Sequence, residues 1–127
     1  MQEKQVYEYA VIKVMPRVER GECINVGVIL YSKRKRFIKM LYKVDEARLT
    51  ALWEDIDLQE LKDYLQAWEL ISEGDTQGGK IGELGPAERF RWLTAVKSTV
   101  LQSSRVHPGM CIDPEKEVQK LFEKFVS

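Results

Sequence analysis

Residues 6–44 read VYEYAVIKVMPRVERGECINVGVILYSKRKRFIKMLYKV. Three runs of β-branched and aromatic residues are separated by two polar turns, and that rhythm sets the fold. The first run, VYEYAVIKVMP (residues 6–16), stops at a proline and is apolar on both faces. Val6, Ala10, Ile12 and Val14 lie on one face, and Tyr7, Tyr9 and Val11 on the other. Such a strand belongs inside a sheet rather than at its edge. RVERGEC is a polar turn with Gly21. INVGVILYS (residues 24–32) is a second strand. Period-two alternation places Ile24, Val26, Val28 and Leu30 on one face, and Asn25, Gly27, Ile29 and Tyr31 on the other. Glycine inside a strand marks the close approach of another backbone or of a ligand. KRKR (residues 33–36) makes a turn, and FIKMLYKV (residues 37–44) is a third strand. The simplest arrangement is an antiparallel meander.

Beyond Val44 the period changes. DEARLTALW begins a short helix with two acids in its first turn, where the helix dipole favours them. Asp57 is a natural N-cap, and Glu60 three residues on fits a capping box. Leu58, Leu61, Leu65, Trp68 and Ile71 then form one apolar helical stripe. SEGDTQGGKIGELG (residues 72–85) holds five glycines and no periodicity, as a flexible loop would. PAERFRWLTAV (residues 86–96) is a helix with Pro86 in its first turn. KSTVLQSS (residues 97–104) is β-prone and reads as a fourth strand, and RVHPG (residues 105–109) as a turn. Asp113 caps a last helix whose stripe is Val118, Leu121, Phe122 and Phe125, with Pro114 at its first position. The order predicts a single domain over residues 1–127, of α+β class. Its expected form is a small, mostly antiparallel sheet of about four strands with helices packed on one face.

The totals exclude several function classes. The chain has 127 residues, 44% apolar and 31% charged, with no net charge. Nothing global draws it to nucleic acid or to a membrane surface. Cys23, Cys111 and the single histidine do not have the spacing of a zinc site, which takes about four ligands. The opening MQEKQVYEY has no apolar core of a signal peptide. No apolar run approaches the roughly 20 residues of a membrane span. The expected setting is the cytoplasm, with reduced thiols. Charge is unevenly spread. Residues 1–44 hold ten basic and four acidic side chains, residues 45–75 two and ten, and residues 76–127 eight and six. The plain reading is a basic sheet edge beside an acidic helix face; the sharper one is a bipolar surface that docks a partner.

One polar run stands out, KSTVLQSSRVHPGMCID (residues 97–113). With Arg89 on the preceding helix, Lys97, Ser98 and Thr99 have the chemistry to grip phosphate or carboxylate oxygens through charge-assisted hydrogen bonds. Gln102 and Asn25 add polar edges, and His107 a donor or a general acid–base at the rim. These residues define a candidate anion or nucleotide pocket. The competing reading is that they satisfy backbone groups and tie the last helix to the sheet. A catalytic set is incomplete. Ser103 or Ser104, His107 and Asp113 lack a nucleophile-elbow frame, and Cys111 reads as a small buried thiol. A phosphate loop of the GxxxxGK[ST] kind is absent, and GGKIG lacks its frame. The KRKR run is too short, in a neutral chain, to argue for nucleic-acid binding. No metal or cofactor is expected.

Three stretches taken together, YEYAVIKVMPRVERGECINVGVIL (residues 7–30), DEARLTALW (residues 45–53) and ERFRWLTAVKSTVLQSSRVHPGMCIDP (residues 88–114), resemble the bacterial domain-of-unknown-function family 3037. The resemblance spans nearly the whole chain. Val96 departs from the pattern, which expects proline between LTA and the basic residue. The family has no settled activity. The resemblance implies a genetic neighbourhood with a HipA-like serine/threonine kinase, and so an accessory or antitoxin-like role. The expected function is a non-enzymatic interaction module associated with such a kinase. The alternative is a small anion- or nucleotide-binding domain built on Arg89, Lys97, Ser98, Thr99, Gln102 and His107.

Overall fold

The computed structural model describes residues 3–17, 20–97 and 99–126. Val18 and Glu19 of the first expected turn, and Ser98, lie outside the described residues. The meander forms as β1 (Gln5–Val14), β2 (Ile24–Ser32) and β3 (Phe37–Tyr42). Two further strands, β4 (Leu101–Ser103) and β5 (His107–Cys111), complete the sheet. Every pairing is antiparallel. The spatial order is β3-β2-β1-β4, with β5 also on β1. The outer edge of β1 is therefore shared: Ile12–Val14 meet β4, and Gln5–Tyr9 meet β5. Ser104 bridges the step between them. Its N–H donates to Val11 O at 2.8 Å, and its Oγ accepts from Val11 N at 2.8 Å.

The α+β class and the antiparallel sheet are as expected, but the sheet has five strands rather than four. The expected fourth strand over residues 97–104 contracts to Leu101–Ser103, and RVHPG, expected as a turn, supplies most of β5. An edge strand tolerates Pro108, which has no N–H to offer. Gly109 is required beneath the Tyr7 ring, since a Cβ there would lie 2.4 Å from Tyr7 Cζ.

A bulge in β2 overturns the simple alternation. Ile12 faces Gly27 while Lys13 faces Asn25, so Val26 is an extra residue. The side-chain phase flips there. Ile24, Val26, Ile29 and Tyr31 enter one core, and Val28 and Leu30 the other. The expected grouping of Ile24, Val26, Val28 and Leu30 is thus split. Gly27 allows the bulge because its backbone is pressed against β3. A Cβ there would sit 2.6 Å from Leu41 O and 3.0 Å from Tyr42 Cβ.

Among the described residues five α-helices cover both faces of the sheet, not one face as expected. α1 (Glu46–Leu52), α2 (Leu58–Glu73), the single turn α3 (Gly79–Gly82) and α4 (Pro86–Thr94) precede β4, and α5 (Pro114–Phe125) follows β5. Leu49 of α1, Leu61, Leu65, Trp68 and Ile71 of α2, and Phe90 and Leu93 of α4 join Ala10, Ile12 and Val14 in the larger core. Val118 and Leu121 of α5 close the opposite face over Tyr7, Val11, Val28 and Leu30. The reason is β1 and β2 themselves, which are apolar on both sides and need two covers. Asp57 caps α2 by accepting from Glu60 N at 3.0 Å, and Gly74 ends it with φ 72°. Asp113 caps α5 by accepting from Glu115 N at 3.0 Å, with Pro114 at the first helical position. No helix among the described residues is long and apolar enough to cross a membrane.

Candidate functional site

Six of the seven expected site residues are among the described ones, Ser98 being outside them, and they do not form one site. Arg89 is 8% exposed on α4. Its Nε donates to Leu84 O at 2.8 Å, and one terminal nitrogen donates to Ile71 O at 3.0 Å and Ser72 O at 2.6 Å. These last two carbonyls are at the C-terminus of α2, whose orphan acceptors and negative dipole end suit a cation. Burial lowers the guanidinium pKa below its ordinary value by desolvation. Gly74 leaves room for this group, since a Cβ there would lie 3.1 Å from Arg89 Cζ.

Lys97 does the same for α4. Its Nζ donates to the carbonyls of Trp92, Leu93 and Ala95, the last two at 3.2 and 3.1 Å. An ammonium has three donors, so all are engaged. The same nitrogen lies 5.0 Å from the centre of the Trp68 ring and 4.6 Å from that of Trp92. Desolvation lowers its pKa from the ordinary lysine value. Thr99 Oγ1 donates to Leu101 O at 2.8 Å, and Gln102 Nε2 donates to the carbonyls of Lys97 and Thr99. Lys97, Thr99 and Gln102 are therefore brought together, as a hydrogen-bonded loop between α4 and β4.

Asn25 and His107 are elsewhere, on the α5 face of the sheet. Asn25 Nδ2 donates to Phe125 O at 3.1 Å and ties down the end of α5. His107 lies opposite Tyr9 across the β1–β5 ladder, their ring centres 5.3 Å apart, and Tyr9 stacks in turn on Phe125. The sheet separates this pair from Arg89 and Lys97.

The serines and acid considered for nucleophilic chemistry are engaged with backbone. Ser103 Oγ donates to Ser104 O at 2.8 Å, Ser104 Oγ donates to Arg105 O at 2.9 Å, and Asp113 caps α5. Cys111 is buried against α5, where burial first, then Glu117 and Asp113, push its thiol pKa up. Cys23 is exposed. Among the described residues no three His, Cys, Asp or Glu side chains gather as a metal site.

What the sequence reading missed is a groove of about 540 Å³ between α2 and α4. Tyr64, Trp68 and Ile71 line it from α2, Trp92 from α4, Val96 from the loop after α4, and Leu101 from β4. Tyr64 and Trp92 are partly exposed and Val96 is 97% exposed. The stripe reading placed Trp68 in the core, where it is buried, but left Tyr64 unassigned. The available signal was Tyr64 four residues before Trp68, a second large ring on the same side of α2. A larger hollow, about 770 Å³, lies at the start of β1 and α5 and is lined by both charges. Two of its acids already face cations, Glu3 towards Arg34 at 3.9 Å and Glu115 towards Lys39 at 2.7 Å.

No curated protein and no solved structure matches the chain. Residues 9–126 match the model of the family described as "Protein of unknown function (DUF3037)", and the chain belongs to that family.

Proposed function

We propose that this protein is a non-enzymatic interaction module, an accessory partner of a HipA-like serine/threonine kinase. The observation that carries the reading is the groove between α2 and α4, an apolar recess on rigid helices with aromatic rings open to solvent. Partly exposed Trp and Tyr side chains in a recess are the anchors around which protein interfaces are built. Lys97, the cation that lines the groove, has its three donors on carbonyls at the end of α4, which leaves the groove an apolar rather than an anion-gripping surface. The kinase is the partner class that the family resemblance suggests.

The test is co-expression of the cognate kinase with the tagged protein. A stoichiometric complex that survives gel filtration is the expected result. Two folded proteins that elute separately at micromolar concentration would count against the reading. The rival, an anion or nucleotide site at the Arg89–His107 run, requires Arg89 and Lys97 to release the carbonyls they hold. Its sign would be thermal stabilisation by phosphate or a nucleotide, about 2.7 kcal/mol at a hundred times the dissociation constant, and lost in Lys97→Met.

A further inference from the structure

The groove is apolar at its floor and acidic at its rim. Glu60 precedes Tyr64, Asp63 precedes Ala67 and Glu88 precedes Trp92, each by four positions. Residues so spaced are neighbours on a helix surface. All three carboxylates are exposed. Glu60 pushes the pKa of the neighbouring Tyr64 phenol up. The single cation of α2, Lys62, is held by Glu46 of α1. Lys97 in the groove wall turns all its donors onto α4. Arg91 stands three residues after Glu88 and offsets part of its charge, but Glu60 and Asp63 have no basic residue three or four positions away. Set against Arg91 and the Lys97 ammonium in the groove wall, the three carboxylates leave one net negative charge, and α2 belongs to the most acidic part of the chain.

We propose that the groove docks a basic segment of a partner protein. One bulky apolar side chain enters between Tyr64, Trp68 and Trp92, while flanking Lys or Arg side chains face Glu60, Asp63 and Glu88. Arginine suits this rim twice over, since it pairs with carboxylates and stacks on open aromatic rings. Opposite charge across a rim sets partner choice and the rate of encounter. The proposal rests on reading the groove as the docking surface, and adds the chemistry of what docks.

The experiment is selection from a phage-displayed library of random short peptides on the full chain, with counter-selection on Val96→Lys. Val96 is almost wholly exposed, so this variant keeps its fold while placing a charge that repels a basic segment beside the groove. Trp92→Ala, checked by circular dichroism, is a second control. The expected peptides carry net positive charge and a bulky apolar residue. A synthetic copy should bind roughly tenfold more weakly to the Glu60→Gln, Asp63→Asn double variant, and more weakly as salt rises. Groove-dependent peptides that are neutral or acidic would overturn the charge preference and leave the docking surface standing. Failure to recover any peptide that Val96→Lys or Trp92→Ala rejects would overturn both. A concentration-dependent dimer that Val96→Lys dissolves would place a second copy in the groove and overturn the proposal as well.

Discussion

Arg89 is the side chain at which α2, the glycine-rich segment and α4 meet. It is a buried cation whose hydrogen-bonded partners are carbonyl oxygens rather than a carboxylate. Removing it takes a donor from all three, though Ile71 O keeps Gly74 N–H, so Arg89→Met should cost about 3 kcal/mol, read as a lower urea midpoint at unchanged slope. Arg89→Lys should recover only part of this, because an ammonium cannot reproduce the planar fork. Tyr7 makes a different prediction. Its hydroxyl donates to Glu117 at 3.0 Å, and burial, then Glu117, raise its pKa well above the ordinary value. The unfolded chain therefore loses this proton first, at about pH 10, and the stability it contributes is present below that pH and declines above it. Tyr7→Phe should flatten the alkaline limb of a stability–pH curve measured by urea titration. The chemistry of residues 97–113 was legible as a polar cluster, but not its purpose. A sequence shows which donors exist, whereas Arg89 and Lys97 reach carbonyls set by helix ends that only the fold brings near.

At the level of elements, caps and stripes were readable and phase was not. Asp57 and Asp113 cap their helices as expected, because a short acceptor before a periodic run has a local, sequence-encoded partner, and Asp45, expected inside the first turn of α1, caps it instead. The β2 bulge is not local. It depends on β3 pressing against Gly27, so alternation alone put Val28 and Leu30 on the wrong side. Gly27→Ala should accordingly cost about 1–3 kcal/mol by forcing β2 and β3 apart, measured by chemical denaturation. Pro108 and Gly109 misled for a related reason. The pair is a turn signal in isolation, but here Pro108 lies at a sheet edge and Gly109 admits the Tyr7 ring. The number of helical layers followed from β1, whose two apolar faces were visible from the start and required a cover on each side.

For the whole molecule, the uneven charge of the sequence becomes a surface with direction. The basic KRKR turn joins β2 to β3, and the acidic segment forms α1, α2 and the stretches around them. The groove lies against the acidic part, where the rings of Tyr64 and Trp92 are partly open to solvent, Trp92 also carrying Lys97 on one side. Val96→Lys should leave stability within about 0.5 kcal/mol, as surface changes do, and yet abolish partner capture. The most direct measurement is a paired pull-down from the native host with nuclease present, wild type beside Val96→Lys, both at native expression. The account predicts a stoichiometric kinase with the wild type and none with the variant. Equal capture by both chains, or a wild-type chain that comes down alone, would contradict it.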